Sequence, residues 1–175
     1  MRHLISLLFT RHEPVRGFGE HSKSALGAAL AILLVGWLGE FSGLPLLVAP
    51  LGASVVIVFG YPGAALAQPL NVFGAYLLTT VIGVIAAELL PHDWWVVAPV
   101  VGLGLFAMQT LRVTHPPAGA IPIVTLTSAG EHTMLFVTLL LACVGMVGMA
   151  VAFHALPPRR RYPAPHPGLP VQHRT

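Results

Sequence analysis

Four long apolar stretches, separated by short polar or proline-rich segments, dominate the hydropathy pattern of this chain. A helix that spans a bilayer needs about 20 mostly apolar residues. Trp94 and Trp95 begin the third stretch, and paired aromatic residues of this kind are typical of a membrane interface. The pattern therefore predicts four long transmembrane helices, over residues 24–40, 71–90, 94–111 and 133–156.

Two further apolar segments are interrupted by proline and glycine. Proline lacks an N–H and clashes with the preceding helical turn, so neither segment can form an unbroken helix. In a first helical turn proline costs little, so each segment is predicted to hold a half-helix that begins near its proline. Such irregular backbone must be buried in protein or line a cavity. The segments are residues 44–61, with Pro45, Pro50 and Gly52, and residues 114–128, with Pro116, Pro117, Gly119 and Pro122.

The two broken segments resemble each other at an offset of 67 residues. Pro50-Leu51-Gly52-Ala53 corresponds to Pro117-Ala118-Gly119-Ala120. The same offset places the first long helix roughly on the third and the second roughly on the fourth. The expected fold is therefore an all-α membrane protein. It is a helical bundle of four long transmembrane helices plus two half-helix segments, with a two-fold internal repeat.

Composition excludes a soluble domain and divides the chain into three parts. Of the 175 residues, 55% are hydrophobic and only 9% are charged, whereas soluble domains carry about 25% charged residues. Residues 1–20 are expected to form a cytoplasmic or interfacial segment, and residues 21–156 the transmembrane domain. Residues 157–175 are rich in Pro, Arg and His and are predicted to be a disordered cytoplasmic tail.

Basic residues at both ends of the chain predict that both termini lie in the cytoplasm, so that the number of crossings is even. Four and six crossings both fit. With four, Glu88 and Asp93 are cytoplasmic and Arg112 is outside. With six, Arg112 lies towards the inside, whereas Glu88 and Asp93 lie outside with Glu40 and Glu131. The position of Arg112 favours six, and three crossings per repeat would make the repeats inverted.

No pattern of catalytic residues is present, so the chain is not expected to be an enzyme. The sequence contains no carboxylate pair, nucleophile–base arrangement or phosphate-binding loop. No spacing suggests four metal ligands, and neither a cofactor nor a nucleic-acid partner is expected. The single cysteine, Cys143, excludes an internal disulfide.

Three blocks of the sequence resemble the HPP family of membrane proteins. Thr114-His115-Pro116-Pro117-Ala118-Gly119-Ala120 is similar to the family's signature. The stretches 50–54 and 67–74 are similar to its other two conserved blocks, with Ala75 where a second glycine is expected. The resemblance covers about residues 20–155. It implies four transmembrane helices and transport of nitrite, because plastid members are implicated in nitrite transport and bacterial members have been proposed to share it.

An anion site between the two breaks would combine several kinds of donor. Two helix N-termini favour an anion by about 0.3–1 kcal/mol each, which falls short of the several kcal/mol needed to dehydrate it. A cation or further donors must help. The candidate site comprises backbone groups of Gly52, Ala53, Gly119 and Ala120, the cationic candidates Arg112 and His115, and the neutral donors Ser54, Gln68, Asn71 and Thr114. Pro50, Pro116 and Pro117 are the motif that positions it.

Each of these residues also has a purely structural interpretation. Arg112 either serves the site or snorkels at a helix end. His115 either couples transport to protons or hydrogen-bonds a backbone carbonyl exposed by the proline break. Asn71 either donates to the anion or caps the following helix. The two functions left open are transport of a small inorganic anion across a bacterial inner membrane, as a homo-oligomer in contact with membrane lipid, and a non-transporting scaffold or sensor.

Overall fold

The computed structural model describes residues 9–11, 13–128 and 132–165. Within these ranges the chain forms six α-helices and two 3-10 turns and contains no strand, which confirms the predicted all-α fold for this part of the chain. The helices are α1 (Phe18–Ser42), α2 (Ala49–Gly60), α3 (Pro69–Leu89), α4 (Trp94–Thr110), α5 (Ile121–Thr127) and α6 (His132–Ala155); the 3-10 turns cover Ala65–Ala67 and Pro116–Ala120.

Three of the helices, α1, α3 and α6, are long and apolar enough to cross a membrane by length and composition. The fourth helix predicted to be long, α4, has 17 residues and is about 26 Å long, against about 30 Å for a hydrocarbon core. The chain leaves the helix after Thr110 because Arg112 adopts a left-handed conformation, with φ 58°. The helix nevertheless matches the predicted bounds of 94–111 to within one residue, and its role as a fourth long spanning helix stays a prediction.

The first broken segment contains one continuous helix. Helix α2 begins at Ala49 with Pro50 in its first turn. Backbone N–H groups in the first turn have no partner within the helix, so the missing N–H of Pro50 costs nothing there. The residues before it run back along α1, where Gly39 allows the two backbones to approach closely. A Cβ at Gly39 would lie 3.0 Å from the carbonyl oxygen of Leu44. The half-helix prediction thus matches this segment.

The second broken segment is a 3-10 turn followed by the short helix α5. Pro122 has no N–H to donate to the carbonyl of Ala118, so an α-helix cannot continue through this point. The N–H of Ile121 donates to Ala118 instead, which gives the tighter 3-10 pattern. Helix α5 packs on α3 at Gly83, where an added Cβ would clash with Thr125.

Most of the core lies between α1, α2, α3 and α6. Its largest fully buried side chains include Tyr76, Phe59 and Leu51. Gly27 of α1 allows a close approach here, since a Cβ at that position would clash with the rings of Phe59 and Phe153. A smaller cluster packs α4 and α5 against the last turns of α3.

Hydrogen bonds bring distant parts of the chain to one end of the bundle. Lys23 donates to the carbonyl of Leu156, Arg16 to the carbonyl of Gly60, and Arg112 shares a groove with residues of the segment after α6. We call this the basic end, defined by Arg16, Lys23, Arg112, Arg159, Arg160 and Arg161. The opposite end carries Glu40, Glu88 and Asp93.

Residues 157–165 pack on the bundle, so the disordered tail cannot begin at Pro157. Tyr162 is buried, and its hydroxyl donates to the carbonyl of Ala67 at 2.9 Å. Burial raises the pKa of Tyr162, which keeps this hydroxyl protonated. The N–H of Ala164 donates to Gln68 Oε1 at 2.8 Å. Proline-rich composition indicated disorder, but one aromatic side chain anchors the segment. The remaining tail residues, residues 1–8 and Glu131 lie outside the described ranges.

Candidate functional site

Prolines leave particular backbone carbonyls without a helical donor, and polar side chains from elsewhere satisfy them. The carbonyl of Leu66 precedes Pro69 by three residues, so a turn cannot bond it. His115 Nδ1 donates to it instead, at 2.7 Å. Side chains replace the missing donor at three other carbonyls in the same way. His154 Nε2 lies 3.1 Å from the carbonyl of Val58, four residues before Pro62, and Asn71 Nδ2 lies 3.1 Å from that of Thr114, three residues before Pro117. His92 Nε2 lies 2.8 Å from the carbonyl of Ala87, four residues before Pro91.

The two broken segments meet at a buried hydrogen bond between His115 and Ser54. Because a carbonyl only accepts, His115 carries its proton on Nδ1, and Nε2 faces Ser54 Oγ at 2.8 Å. Ser54 Oγ also lies 2.8 Å from Tyr76 Oη and 3.0 Å from the carbonyl of Pro50. His115, Ser54 and Tyr76 are all fully buried. The sequence-based prediction placed His115 and Ser54 in one site, and the structure brings them together.

This network satisfies every member with His115 either neutral or protonated. In the neutral state, Tyr76 donates to Ser54, and Ser54 donates to His115 Nε2. In the protonated state, Nε2–H donates to Ser54 Oγ, and the serine hydroxyl turns to the carbonyl of Pro50. A hydroxyl oxygen accepts two hydrogen bonds, so Tyr76 keeps its partner. The hydrogen bonds of this network are therefore compatible with either protonation state of His115, and only one hydroxyl rotates between the two.

Arg112 occupies a position that usually belongs to glycine. Helix α4 ends in a Schellman motif, in which the N–H of Val113 donates to Met108 at 2.9 Å and that of Arg112 to Gln109 at 3.1 Å. The left-handed residue of this motif is most often glycine, and a residue with a Cβ costs about 1–2 kcal/mol there. The local backbone therefore does not explain why arginine stands at this position.

An open groove of about 710 Å³ at the basic end contains three of the predicted site residues, Arg112, Gln68 and Asn71. Pro163, Ala164 and Pro165 of the C-terminal segment form part of its wall. Asn71 connects the groove to the buried network, because its amide holds the carbonyl of Thr114, the residue before His115. Arg112 itself is exposed, so it lies at the rim of the groove and not beside the histidine.

The glycine and alanine residues of the predicted site lie outside both the groove and the buried histidine network. Gly52 and Ala53 lie on the exposed face of α2, whereas Ser54 of the same helix is buried. Gly119 and Ala120 are half-buried in the 3-10 turn. A Cβ at Gly52 or Gly119 would meet nothing within 4 Å, so neither glycine is needed for a close contact within the monomer. A role for these four residues in anion binding stays a prediction.

Tyr76 and Tyr162 were not among the site residues predicted from the sequence. The signal for Tyr76 was present, since a phenol within the apolar run 71–90 requires a hydrogen-bond partner when it is buried. Its contact with Ser54 depends on how α2 and α3 are positioned relative to each other in the bundle, which spacing does not reveal. Tyr162 lies in a segment whose composition indicated disorder.

The sequence matches the family described as HPP, transmembrane region, over residues 13–163. The chain belongs to this HPP family. A transmembrane protein of Dictyostelium discoideum is 28% identical over 151 residues, which cover 82% of this chain and 48% of the relative. The HPP chain thus spans about half the length of that relative. No solved structure matches it.

The predicted HPP resemblance is confirmed, and its three sequence blocks converge in the structure. The first block supplies Ser54, the second supplies Asn71, and the third supplies His115. At Ala75, where a second glycine was expected, the side chain is fully buried; the close approach occurs at Gly74, where a Cβ would lie 2.9 Å from Val113 Cγ1. Among the described residues, no group of three or more His, Cys, Asp or Glu side chains is placed to hold a metal ion.

Proposed function

We propose that this HPP protein transports a small inorganic anion, nitrite in the first place, across the bacterial inner membrane. The observation that carries the proposal is the convergence of the three signature blocks on a buried histidine network beside a groove rimmed by Arg112. Nitrite itself rests on the resemblance to HPP relatives implicated in its transport. We further propose that the protein acts as a homo-oligomer, because a chain of this size offers little material for a sealed pathway.

The distribution of charge supports six crossings with both termini in the cytoplasm. The described basic residues gather at one end of the bundle, as the positive-inside rule requires of a cytoplasmic end. Arg112 lies at this end together with Arg16 and Arg160. The broken segments 44–61 and 114–128 would then complete the second and fifth crossings, although each contains only a short helix.

An inverted repeat is supported by the positions of the broken segments and by the packing. A shift of 67 residues moves Ala49–Gly60 onto residues 116–127, the range of the second 3-10 turn and α5 together. The packing follows the same correspondence: α1 packs on α6 as α4 packs on α3, and α2 packs on α6 as α5 packs on α3. With three crossings per repeat, the two halves would have opposite orientations.

The proposed mechanism begins in the groove. Arg112 attracts the anion at the rim, where the charge is still hydrated and available to solvent. Deeper in the protein, protonation of His115 would add a second positive charge and help to offset the several kcal/mol of anion dehydration. Proton-coupled transport and a simple channel differ at this step, since only the former needs the two protonation states of the histidine.

One observation favours the alternative, a scaffold or sensor. His115, Ser54 and Asn71 all have partners within the protein, and His115 and Asn71 repair carbonyls that prolines leave free. In this interpretation the polar side chains serve only the fold. Transport measurements separate the two functions.

The decisive experiment is uptake of nitrite, nitrate, formate and chloride by liposomes that contain the purified protein. Arg112→Gly keeps the Schellman turn and removes the cation, so we expect uptake to fall at least tenfold without loss of thermal stability. Arg159→Gln removes an exposed arginine that lies outside the groove and should leave uptake unchanged. Wild-type liposomes no more permeable than empty ones to every anion would instead support a scaffold.

Two further measurements refine the proposal. Accumulation driven by an imposed proton gradient indicates a carrier, whereas uptake that ignores the gradient indicates a channel. Cysteine labelling at Tyr61 and at Ser128, in a Cys143→Ala background, tests the topology. Six crossings place the two positions on opposite sides of the membrane, and four crossings with re-entrant segments place both outside.

A further inference from the structure

A second basic cavity lies at the basic end, next to the groove of Arg112; Gly63 and Ala164 line both. It has a volume of about 550 Å³ and lies between the start of α1, the loop after α2 and the segment after α6. Three arginines line it, Arg16, Arg160 and Arg161, together with Tyr61. Glu20 is the one carboxylate among the described residues of its lining.

Two of the arginines are held in place by the protein. Arg16 donates to the carbonyl of Gly60, and its guanidinium lies 4.9 Å from the centre of the Tyr61 ring. Arg160 is only 14% exposed, and its Nη1 donates to the carbonyl of Phe59 at 3.3 Å. Side chains fixed in this way lose little further conformational freedom when they bind a ligand.

The charges around the cavity are unbalanced. Glu20 lies 3.8 Å from Arg160 and offsets one cation. Glu13 accepts a hydrogen bond from the Tyr61 hydroxyl beside Arg16 and offsets a second, so the three arginines exceed the nearby carboxylates by one. Like charges held close together repel each other, and an anion between them removes that repulsion. A guanidinium presents paired N–H groups that match phosphate oxygens, so a phosphate group is the ligand that suits this cavity.

The surroundings of the cavity indicate that the phosphate comes from a lipid. Phe18 is 87% exposed and Val15 fully exposed, on the segment that carries Arg16. Apolar side chains next to arginines, at the end of a membrane helix, are typical of a surface that lies in the headgroup region. Basic cavities on the cytoplasmic side of membrane proteins are suited to acidic headgroups.

We propose that the cavity between Arg16, Arg160 and Arg161 binds the phosphate of an anionic phospholipid in the leaflet at the basic end. The site is independent of the transport proposal, because neither His115 nor Arg112 contributes to it. Phosphatidylglycerol provides the probe, since it carries one phosphate diester and no headgroup cation.

The test is lipid binding to the full chain in neutral detergent, followed by thermal shift and by titration with a fluorescent phosphatidylglycerol. Phosphatidylglycerol should raise the Tm, and phosphatidylcholine at the same concentration should not. Arg161→Gln should raise the apparent Kd for phosphatidylglycerol about fivefold, and the double variant Arg16→Gln/Arg161→Gln should raise it about 25-fold. These factors are expected for the loss of one and of two arginines near a headgroup. Arg160 is not replaced because its hydrogen bonds also hold α1 and α2.

Arg159→Gln is the matched control, since Arg159 is exposed and does not line the cavity; its Kd should change less than twofold. The proposal is overturned if both lipids bind equally, or if Arg159→Gln weakens binding as much as Arg161→Gln. Inorganic phosphate separates the two sources of the phosphate group. A Tm rise from phosphate equal to that from phosphatidylglycerol, at equal concentration, would overturn the lipid assignment.

Discussion

The two broken segments share the pattern Pro-x-Gly-Ala but form different structures. The first is entered through Gly43, at φ 71°, and becomes one twelve-residue α-helix. The second is entered through Arg112, at φ 58°, and divides into a 3-10 turn and a seven-residue helix. The difference comes from Pro122, which has no counterpart in the first segment. The shared motif sets where a half-helix begins, and the residues after it decide how the half-helix continues.

The largest expected effect comes from the hydrogen bond that joins the two segments. His115→Ala removes the donor to Leu66 and the partner of Ser54, and it leaves a cavity in place of the ring. We expect a loss of about 2–4 kcal/mol in the free energy of unfolding. Denaturation in mixed micelles with increasing SDS provides the measurement.

His21→Ala serves as the control, because His21 is exposed on α1 and should change stability by less than about 0.5 kcal/mol. A loss at His115 no larger than that at His21 would mean that the two segments are not held together at this point.

The second segment packs closely on α3 at Gly83. The first segment has no such contact at Gly52, where an added Cβ would meet nothing within 4 Å. Gly83→Ala places a Cβ against Thr125, and 3.2 Å from the backbone Cα of Pro122, which cannot move freely. We expect destabilisation of about 1–3 kcal/mol, again measured by SDS denaturation.

Gly102→Ala is the matched change on the neighbouring helix α4, where a Cβ meets nothing within 4 Å. This variant should be neutral or more stable than wild type. Equal effects of the two substitutions would show that α5 does not pack on α3 as closely as described.

The entrances to the two segments provide a third test, with effects of opposite sign. Arg112→Gly relieves a left-handed residue that carries a Cβ and should stabilise the protein by about 1 kcal/mol. Gly43→Ala introduces that cost at the first entrance and should destabilise it by a similar amount. Thermal unfolding in detergent measures both. A loss of stability in Arg112→Gly would show that the guanidinium has a structural role that its exposed position does not suggest.

The smallest effects are expected at the two glycines of the shared motif. Gly52 lies within an α-helix, and its replacement by alanine should stabilise α2 by up to about 1 kcal/mol. Gly119 lies in a 3-10 turn, so Gly119→Ala should gain less. Circular dichroism during thermal unfolding of both variants provides the comparison. A destabilising Gly52→Ala would indicate that its exposed face is covered in the assembled protein.

The sequence predicted the apolar helices and the first-turn position of Pro50, because both follow from local rules on length and on missing N–H groups. His115 and Ser54 were predicted to share a site because the repeat suggested that the two broken segments meet; their direct hydrogen bond could not be predicted from the sequence. The position of Tyr76 in the same network depends on the relative placement of α2 and α3 in the bundle, which residue spacing does not reveal. Helix α4 ends one residue before its predicted end, because Arg112 adopts a left-handed conformation. The packing of the segment around Tyr162 was not expected, because one buried aromatic side chain outweighs the proline-rich composition around it.

The pairing of proline-freed carbonyls with side-chain donors also constrains how this sequence can evolve. Four of the freed carbonyls are bonded by a histidine or asparagine side chain, and the donor lies up to 96 positions from the carbonyl, as in the contact between His154 and Val58. If only the donor side chain is replaced, the carbonyl is left without a hydrogen bond. If only the proline is replaced, the new backbone N–H and the donor side chain compete for the same carbonyl. Such positions are therefore expected to vary in pairs, so that the record of their joint substitution would reveal the fold of relatives that share little else.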